Sequence, residues 1–305
     1  MEANMRVGIT GASGLIGTEL VSALKKRGDE VVLFVRPQTA SSSKEIIRWD
    51  PSSGHVDEND LKNAGQLDAV IHLAGAGIGD KRWSEKRKKE ILSSRTNSTN
   101  LLVATLRAMP GGVPHLISGS AIGFYGNRDD EVLSESSSLG SGFLSEVCKE
   151  WEDAALKLEG ESGVALLRTG IVMSRAGGAL KKQLPLFKLG LGGKLGSGKQ
   201  WISPISLNDE VRAILWILDK KLSGPFNLVS PEPATNSQLT STLGKILRRQ
   251  TLFSVPKIAL NAVLGAEMAD QLVFSSTRVL PNQLLDSGFS FEQSSISEII
   301  QHSLL

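Results

Sequence analysis

The sequence predicts an α/β fold, a doubly wound parallel sheet with a smaller C-terminal substrate domain. Short apolar runs alternate with helical patterns up to about residue 175, the order that produces a parallel sheet flanked by helices. The first apolar run passes into the first helix through "GASGLIG", with glycine at 11, 14 and 17. From Ala176 the texture turns glycine- and lysine-rich, comes back once to a helix and a strand, and departs again.

The elements follow in order. "RVGIT" (6–10), "EVVLFV" (30–35), "DAVIHLAG" (68–75), "PHLISGS" (114–120) and "VALLRTGIV" (164–172) are short, apolar and rich in β-branched residues, hence strands. Between them "GTELVSALKKRG", "SEKRKKEILSSRTNSTNLLVATLRAM" and "SEVCKEWEDAALKLEGES" place apolar residues at three- and four-residue intervals, hence helices. "AGGALKKQLPLFKLGLGGKLGSGKQ" is too irregular for an interior strand and is expected as a loop and short helix beside a ligand. "LNDEVRAILWILDKK" (207–221) is an amphipathic helix and "GPFNLVS" (224–230) a strand that rejoins the sheet. Helical stretches at "NSQLTSTLGKILRR" and "ISEIIQHSLL" belong to the last part. The expected division is 5–175 with 206–231 as the cofactor domain, and 176–205 with 232–305 as the substrate module.

Composition narrows the function. Thirty-four basic and 32 acidic residues leave a net charge of +2 with no basic tract, so a nucleic-acid footprint is not expected. One cysteine, Cys148, excludes an intrachain disulfide and a multi-cysteine metal site, and the four histidines show no ligand spacing; no metal is expected. No apolar run reaches the roughly 20 residues of a membrane helix, and the strand at Arg6 leaves little chain ahead of it for a signal peptide. A cytoplasmic protein with a small-molecule substrate is the expectation, and a homodimer is compatible with it.

A strand, a Gly-x-x-Gly-x-x-Gly turn and a helix supply what a diphosphate needs: tight backbone, free amides and the positive end of a helix dipole. The expected contacts are Gly11, Ser13, Gly14, Leu15, Ile16 and Gly17. At the end of the second strand, 19 positions after Gly17, stands Arg36. An acidic residue there would hold the ribose hydroxyls of NAD, whereas arginine can pair with a 2′-phosphate, so NADP(H) is the expected cofactor.

"TGASGLIG", "DAVIHLAG", "SGSAIGFYG" and "LLRTGIVM" together resemble the extended short-chain dehydrogenase/reductases. "KRWSEKRKKEILSSR", "GGALKKQLPLFKLGLGGKLGSGKQW", "NLVSPEPATNSQL" and "GFSFEQSSISE" narrow the resemblance to the atypical branch called epimerase-family, or NAD-dependent epimerase/dehydratase-like, proteins. The resemblance spans nearly the full length and implies a Rossmann domain that binds NADP(H), a small C-terminal module, and the following roles. Leu73, Ala74 and Gly75 are implied as backbone contacts near the adenine ribose. His72 beside them reads either as a contact or as a buried strand histidine. Arg95 stands where many members place an asparagine near the diphosphate or ribose, and its guanidinium could grip a phosphate oxygen. Glu90 would orient that arginine or meet a ribose hydroxyl. Met173 falls where the superfamily backs the nicotinamide, and also reads as core.

The resemblance further implies hydride transfer with a serine, a tyrosine and a lysine. Ser120 matches the serine and Lys149 the lysine, but Ser145 occupies the tyrosine position, and an aliphatic hydroxyl is a far weaker acid than a phenol near pKa 10. Tyr125, the sole tyrosine, reads either as a replacement proton donor or as a structural element of the "YG" turn. A second departure is Ser206, where close relatives carry histidine. Two functions follow. One is an NADP(H)-dependent oxidoreductase or epimerase-like protein acting on a small carbonyl or sugar-derived substrate. The other is a catalytically degenerate NADP(H)-binding regulator, a redox sensor or division-associated factor.

Overall fold

The computed structural model describes residues 4–39 and 45–304. Its centre is an eight-stranded sheet. The strands are β1 (Arg6–Thr10), β2 (Glu30–Val35), β3 (Ile46–Asp50), β4 (His55–Val56), β5 (Ala69–His72), β6 (His115–Ala121), β7 (Val164–Thr169) and β8 (Gly224–Leu228), in the spatial order β8-β7-β6-β5-β1-β2-β3-β4. All pairs are parallel except β3 with β4. Order reverses at β1, which pairs with both β2 and β5, and the crevice beyond the strand ends at such a reversal is where this topology receives ligands.

Helices cover both faces. Helix α1 (Leu15–Arg27) and α6 (Leu207–Asp219) pack on one face; α2 (Glu58–Ala64), α3 (Glu85–Arg107) and α4 (Phe143–Leu156) lie on the other. Local sequence explains where they start. Ser84 caps α3 by accepting from Arg87 N, and Ser206 caps α6 by accepting from Asp209 N. On α3, Ile91, Leu102, Val103 and Leu106 are buried, each worth roughly 1.5–3 kcal/mol of removal from water.

The rest of the chain is built from short pieces around α5 (Gly178–Lys188), α7 (Asn236–Leu247), α8 (Lys257–Leu264), α9 (Ala266–Ala269), α10 (Asn282–Asp286) and α11 (Ile296–Leu304). Short two-stranded ladders, separate from the main sheet, organise it and tie it to the segments after β6 and β7: Ile171–Met173 runs parallel to Pro204–Ser206, Trp201–Ile202 is antiparallel to Ala234–Thr235, and Val132–Leu133 pairs with Arg278–Val279. A separate core of Leu180, Leu184, Phe187, Leu239, Leu243, Ile299 and Ile300 holds α5, α7 and α11 together. The run expected as one strand over 164–172 is two, because the chain breaks at Gly170, where a Cβ would collide with the Ser203 carbonyl. The β3–β4–α2 unit was not among the expected elements. Among the described residues, no helix is long and apolar enough to cross a membrane.

Candidate functional site

A cavity of about 760 Å³ opens at the C-terminal ends of β1, β5, β6 and β7. One wall is the glycine turn. Gly11 takes φ +69°, and a Cβ there would stand 2.7 Å from the Leu73 carbonyl. A Cβ on Gly17 would collide with the Gly11 carbonyl oxygen and stand 2.8 Å from Ala12 Cα. The turn is therefore closed around two positions that admit only glycine. It opens α1 with Gly14 at the N-cap, with no side-chain cap and no acidic residue in the first turn. The first amides of α1 and the positive end of its dipole are left for an external anion.

Thr10 ties this turn to the β5 end. Its Oγ1 accepts from Leu73 N at 3.1 Å and Ala74 N at 3.2 Å, and bonds His72 Nδ1 at 2.7 Å. His72 is fully buried, bonds Thr99 Oγ1 through Nε2, and is pushed down to about 3 by burial, with Arg95 adding to the effect. It is a neutral core histidine, the second of the two readings its sequence allows.

Arg95 lies on the cavity wall, buried to 6% exposure, stacked over Trp151 at 5.0 Å and donating to Ile91 O. Burial lowers its pKa from the usual guanidinium value. Among the described residues no carboxylate pairs with it, so this cation has paid desolvation without a counter-charge. Gly75 lies against it, since a Cβ there would be 3.3 Å from Arg95 Cζ.

Ser120 lines the cavity and donates to Glu152 Oε1 at 2.6 Å. Glu152 in turn receives both sides of the Arg168 guanidinium, at 2.9 Å each, in a buried ion pair. Arg168 stacks on Phe124 at 3.6 Å and donates to Tyr125 Oη at 3.0 Å, and Tyr125 donates to Asn227 Oδ1 at 2.6 Å. Asn227 Nδ2 ends the chain of bonds on Leu280 O. This network runs from the cavity floor through β7 and β8 to the C-terminal module.

Several expected residues stand elsewhere. Tyr125 is fully buried, its hydroxyl committed at both ends, and burial pushes its phenol further up; it does not line the cavity. Lys149 projects to solvent, half exposed, and pairs with Asp153 one turn on. The cavity-facing positions of α4 are Leu144, Ser145, Val147, Cys148 and Trp151, and Lys149 falls between them. Ser145 donates to Gly123 O at 3.0 Å and Ser141 O at 3.2 Å. Glu90 is exposed and pairs with Arg87 at 2.8 Å rather than with Arg95, because a three-residue interval on a helix brings those two together. Met173 packs in the α5–α7–α11 core while its neighbours Ile171 and Val172 face the cavity. Ser13 and Arg36 are exposed. Arg36 emerges at the same sheet end as the glycine turn, since β1 and β2 pair Ile9 with Leu33. Gly11, Gly14, Leu15, Ile16, Gly17, Leu73, Arg95 and Ser120 do line the cavity; Ala74 and Gly75 stand just behind it.

The opposite wall comes from residues that sequence patterns did not single out: Trp201, Ile202, Lys257, and the π-helical turn Asp270–Phe274. Lys257 pairs with Asp270 at 2.6 Å and lies over Phe274. Gln271 Oε1 accepts from Leu144 N at 2.9 Å, capping α4, whose own N-cap, Gly142, offers no side chain. A π-turn carries no distinctive residue pattern, though such turns are frequent at functional sites. Thr169 and Cys148 also line the cavity unforeseen. Burial pushes the Cys148 thiol up to about 12, and it donates to Ala121 O, which makes it an inert lining group.

Comparisons with known proteins agree with this arrangement. Residues 7–230 match the NAD dependent epimerase/dehydratase family, and residues 255–303 match a domain of unknown function, DUF1731. The chain is 41% identical to an epimerase family protein of Mycobacterium bovis, over 99% of this chain and 98% of that one. It is 36% identical to the chloroplastic epimerase family protein SDR39U1 homolog of Arabidopsis thaliana, over 98% and 87%. The crystal structure of human epimerase family protein SDR39U1 (isoform 2) with NADPH superposes with a TM-score of 0.87 at 30% identity, covering 98% of each chain. With its NAD(P)-binding Rossmann-like sheet and small C-terminal module, the chain belongs to the NAD dependent epimerase/dehydratase family.

Proposed function

We propose that this protein binds NADP(H) along the glycine turn and reduces or epimerises a small carbonyl or sugar-derived substrate in the remainder of the cavity. The observation that carries this reading is the pairing of an uncapped α1 N-terminus with the buried, uncompensated Arg95 on one cavity wall. Both ask for an anion, and a dinucleotide diphosphate supplies it. The human relative solved with NADPH supports the same cofactor, and Arg36, at the end of β2, suits a 2′-phosphate.

In this reading, residues 5–175 with 206–231 form the cofactor domain, and 176–205 with 232–305 form the substrate module. The bound cofactor supplies hydride chemistry at its nicotinamide. The α1 amides and Arg95 hold the diphosphate, and Ser120, fixed by Glu152, orients a substrate oxygen. Trp201, Ile202 and the 270–274 turn exclude water from the reacting end. A cytoplasmic setting accords with a dinucleotide cofactor and one buried free thiol.

A second reading, an NADP(H)-binding regulator without turnover, has its own observation: Ser145 is bonded to backbone carbonyls and Lys149 faces solvent, so the tyrosine–lysine couple is absent in space as well as in sequence. Titration by nicotinamide fluorescence with NADPH and NADH, for the wild type and Arg36→Ala, tests the shared claim. Tight NADPH binding that weakens in the variant, with NADH weak in both, is the expected result. Equal binding of both nucleotides removes the 2′-phosphate argument. Oxidation of NADPH with any of a panel of carbonyl compounds removes the regulatory reading.

A further inference from the structure

Two hydroxyls on the cavity wall bond to buried carboxyl groups, and the two pairs differ. Ser120 donates to Glu152, whose two oxygens are already engaged by the Arg168 guanidinium. Thr169 Oγ1 donates to Glu210 Oε1 at 2.9 Å. Glu210 is wholly buried in the first turn of α6, and its Oε2 has no hydrogen-bond partner.

Among the described residues no charge compensates it. Against α6 pack α1, β7, Ile171–Met173, Pro204–Ser206 and the segment 284–293, whose Glu292 is turned to Arg212. On these, Arg27 is turned to Asp219, Arg168 to Glu152, and Glu19, Lys25 and Lys26 are exposed. On α6 itself Asp209 is paired with Arg212. Burial accordingly pushes the Glu210 carboxyl up to about 8, so at neutral pH it holds its proton.

Thr169 sits between this acid and the cavity. It ends β7 directly opposite Ala121 in the register with β6, one residue from Ser120. Tyr125 donates to Asn227, Ser145 to two carbonyls and Cys148 to Ala121 O, acceptors with no proton to return, whereas the acceptor of Thr169 is the buried carboxyl of Glu210. We propose that Thr169 is the catalytic proton donor of this cavity, and that Glu210 is the positioning group behind it that stores and resupplies the proton.

The inference rests on the reading of the cavity as an NADP(H)-dependent reduction site. As hydride from the reduced nicotinamide bonds to a carbonyl carbon, the carbonyl oxygen takes the Thr169 hydroxyl proton and becomes an alcohol. Once the Thr169 hydrogen has turned from Glu210 to the substrate oxygen, Thr169 Oγ1 takes the Glu210 carboxyl proton across the same 2.9 Å contact. Glu210 is left as a carboxylate and regains a proton from water through Thr169, its link to the cavity. The sum is carbonyl, NADPH and one proton going to alcohol and NADP+. Of the two buried carboxyls behind the wall, Glu152 is ion-paired with Arg168 and Glu210 meets no cation among the described residues.

The experiment uses the full chain with NADPH, and para-nitrobenzaldehyde, glyceraldehyde and diacetyl as carbonyl probes. Wild type, Thr169→Val, Thr169→Ser and Glu210→Gln are compared for NADPH binding, turnover and carboxyl infrared absorption. The expected result is unchanged NADPH binding in all four. Thr169→Val lowers turnover about 100-fold, and Thr169→Ser restores it. The wild-type rate falls as pH rises through about 8 while a protonated-carboxyl band disappears over the same range. Glu210→Gln loses both the band and that limb of the profile. Turnover unaffected by Thr169→Val, or a limb that survives in Glu210→Gln, overturns the relay. NADPH binding with no probe reduced also overturns it and leaves the regulator. Absence of NADPH binding overturns instead the reading beneath it.

Discussion

The two walls of the cavity are made by different means. The wall that carries the glycine turn, Leu73, Arg95, Ser120 and Thr169 is assembled from the ends of long parallel strands and the helices that follow them. Each position there is fixed by several backbone hydrogen bonds and by steric closure, as at Gly17. The wall that carries Trp201, Lys257 and the 270–274 turn is assembled from two-residue strands, a π-turn and α8, which buries none of its residues. The first wall is held by the main sheet, and the second by short elements with little buried surface of their own. A general scaffold with an adaptable face is how one fold serves many chemistries.

That contrast can be broken at four points, in descending size of effect. The joint between the walls is the Ser120–Glu152–Arg168–Tyr125–Asn227 network. Arg168→Met leaves Glu152 buried and unpaired, and chemical denaturation is expected to show a loss of about 3–5 kcal/mol. A loss under 1 kcal/mol would mean that the walls are held together by packing alone.

The strand wall also carries an ionisation penalty at Glu210. The folded carboxyl sits at about 8 against an ordinary 4.5, so the unfolded chain loses this proton first. Stability contributed by the neutral acid is fully present below the unfolded value and is lost as pH rises through the folded one. Between pH 4.5 and 7 the loss is roughly 3 kcal/mol. Thermal melts of Glu210→Gln should show that slope removed, whereas a parallel slope would place the ionisation on another group.

Gly17→Ala strikes the cofactor wall directly. The added methyl collides with the turn and displaces the α1 amides, and NADPH affinity should drop roughly 100-fold, equivalent to losing one or two charge-assisted hydrogen bonds. Fluorescence titration reads this, with circular dichroism to verify the fold. The smallest effect belongs to the contact between walls: Gln271→Ala removes the cap of α4 and should cost about 1 kcal/mol, with NADPH affinity retained.

The same contrast governs what the sequence reveals. Periodicity locates β1 and β2 to the residue and helices α3 and α6 to within two residues, because long amphipathic segments on a sheet carry a strong pattern, whereas the pattern over 145–162 overruns the end of α4 by six residues. Gly11 and Gly17 meet a steric requirement that no other residue does, so that turn is readable in one dimension. Arg95 was reachable through resemblance to relatives. Lys149 shares the Ser145 side of α4 by its four-residue interval, but its side chain is turned to Asp153 in solvent and does not line the cavity, which interval alone does not reveal. Tyr125 and Glu152 were opaque for another reason, as their roles depend on Arg168 and Asn227, distant in sequence and adjacent only across strands. Glu210 reads as one more charge in a helix first turn until its burial is known.

The proposed anchor of the cofactor is the buried Arg95, rather than the lysine of the tyrosine–lysine spacing. Side-by-side NADPH titrations of wild type, Arg95→Met and Lys149→Met separate the two. Affinity about 10- to 100-fold weaker in Arg95→Met and unchanged in Lys149→Met is expected. Weakening in Lys149→Met with Arg95→Met unaffected would rule Arg95 out as the anchor.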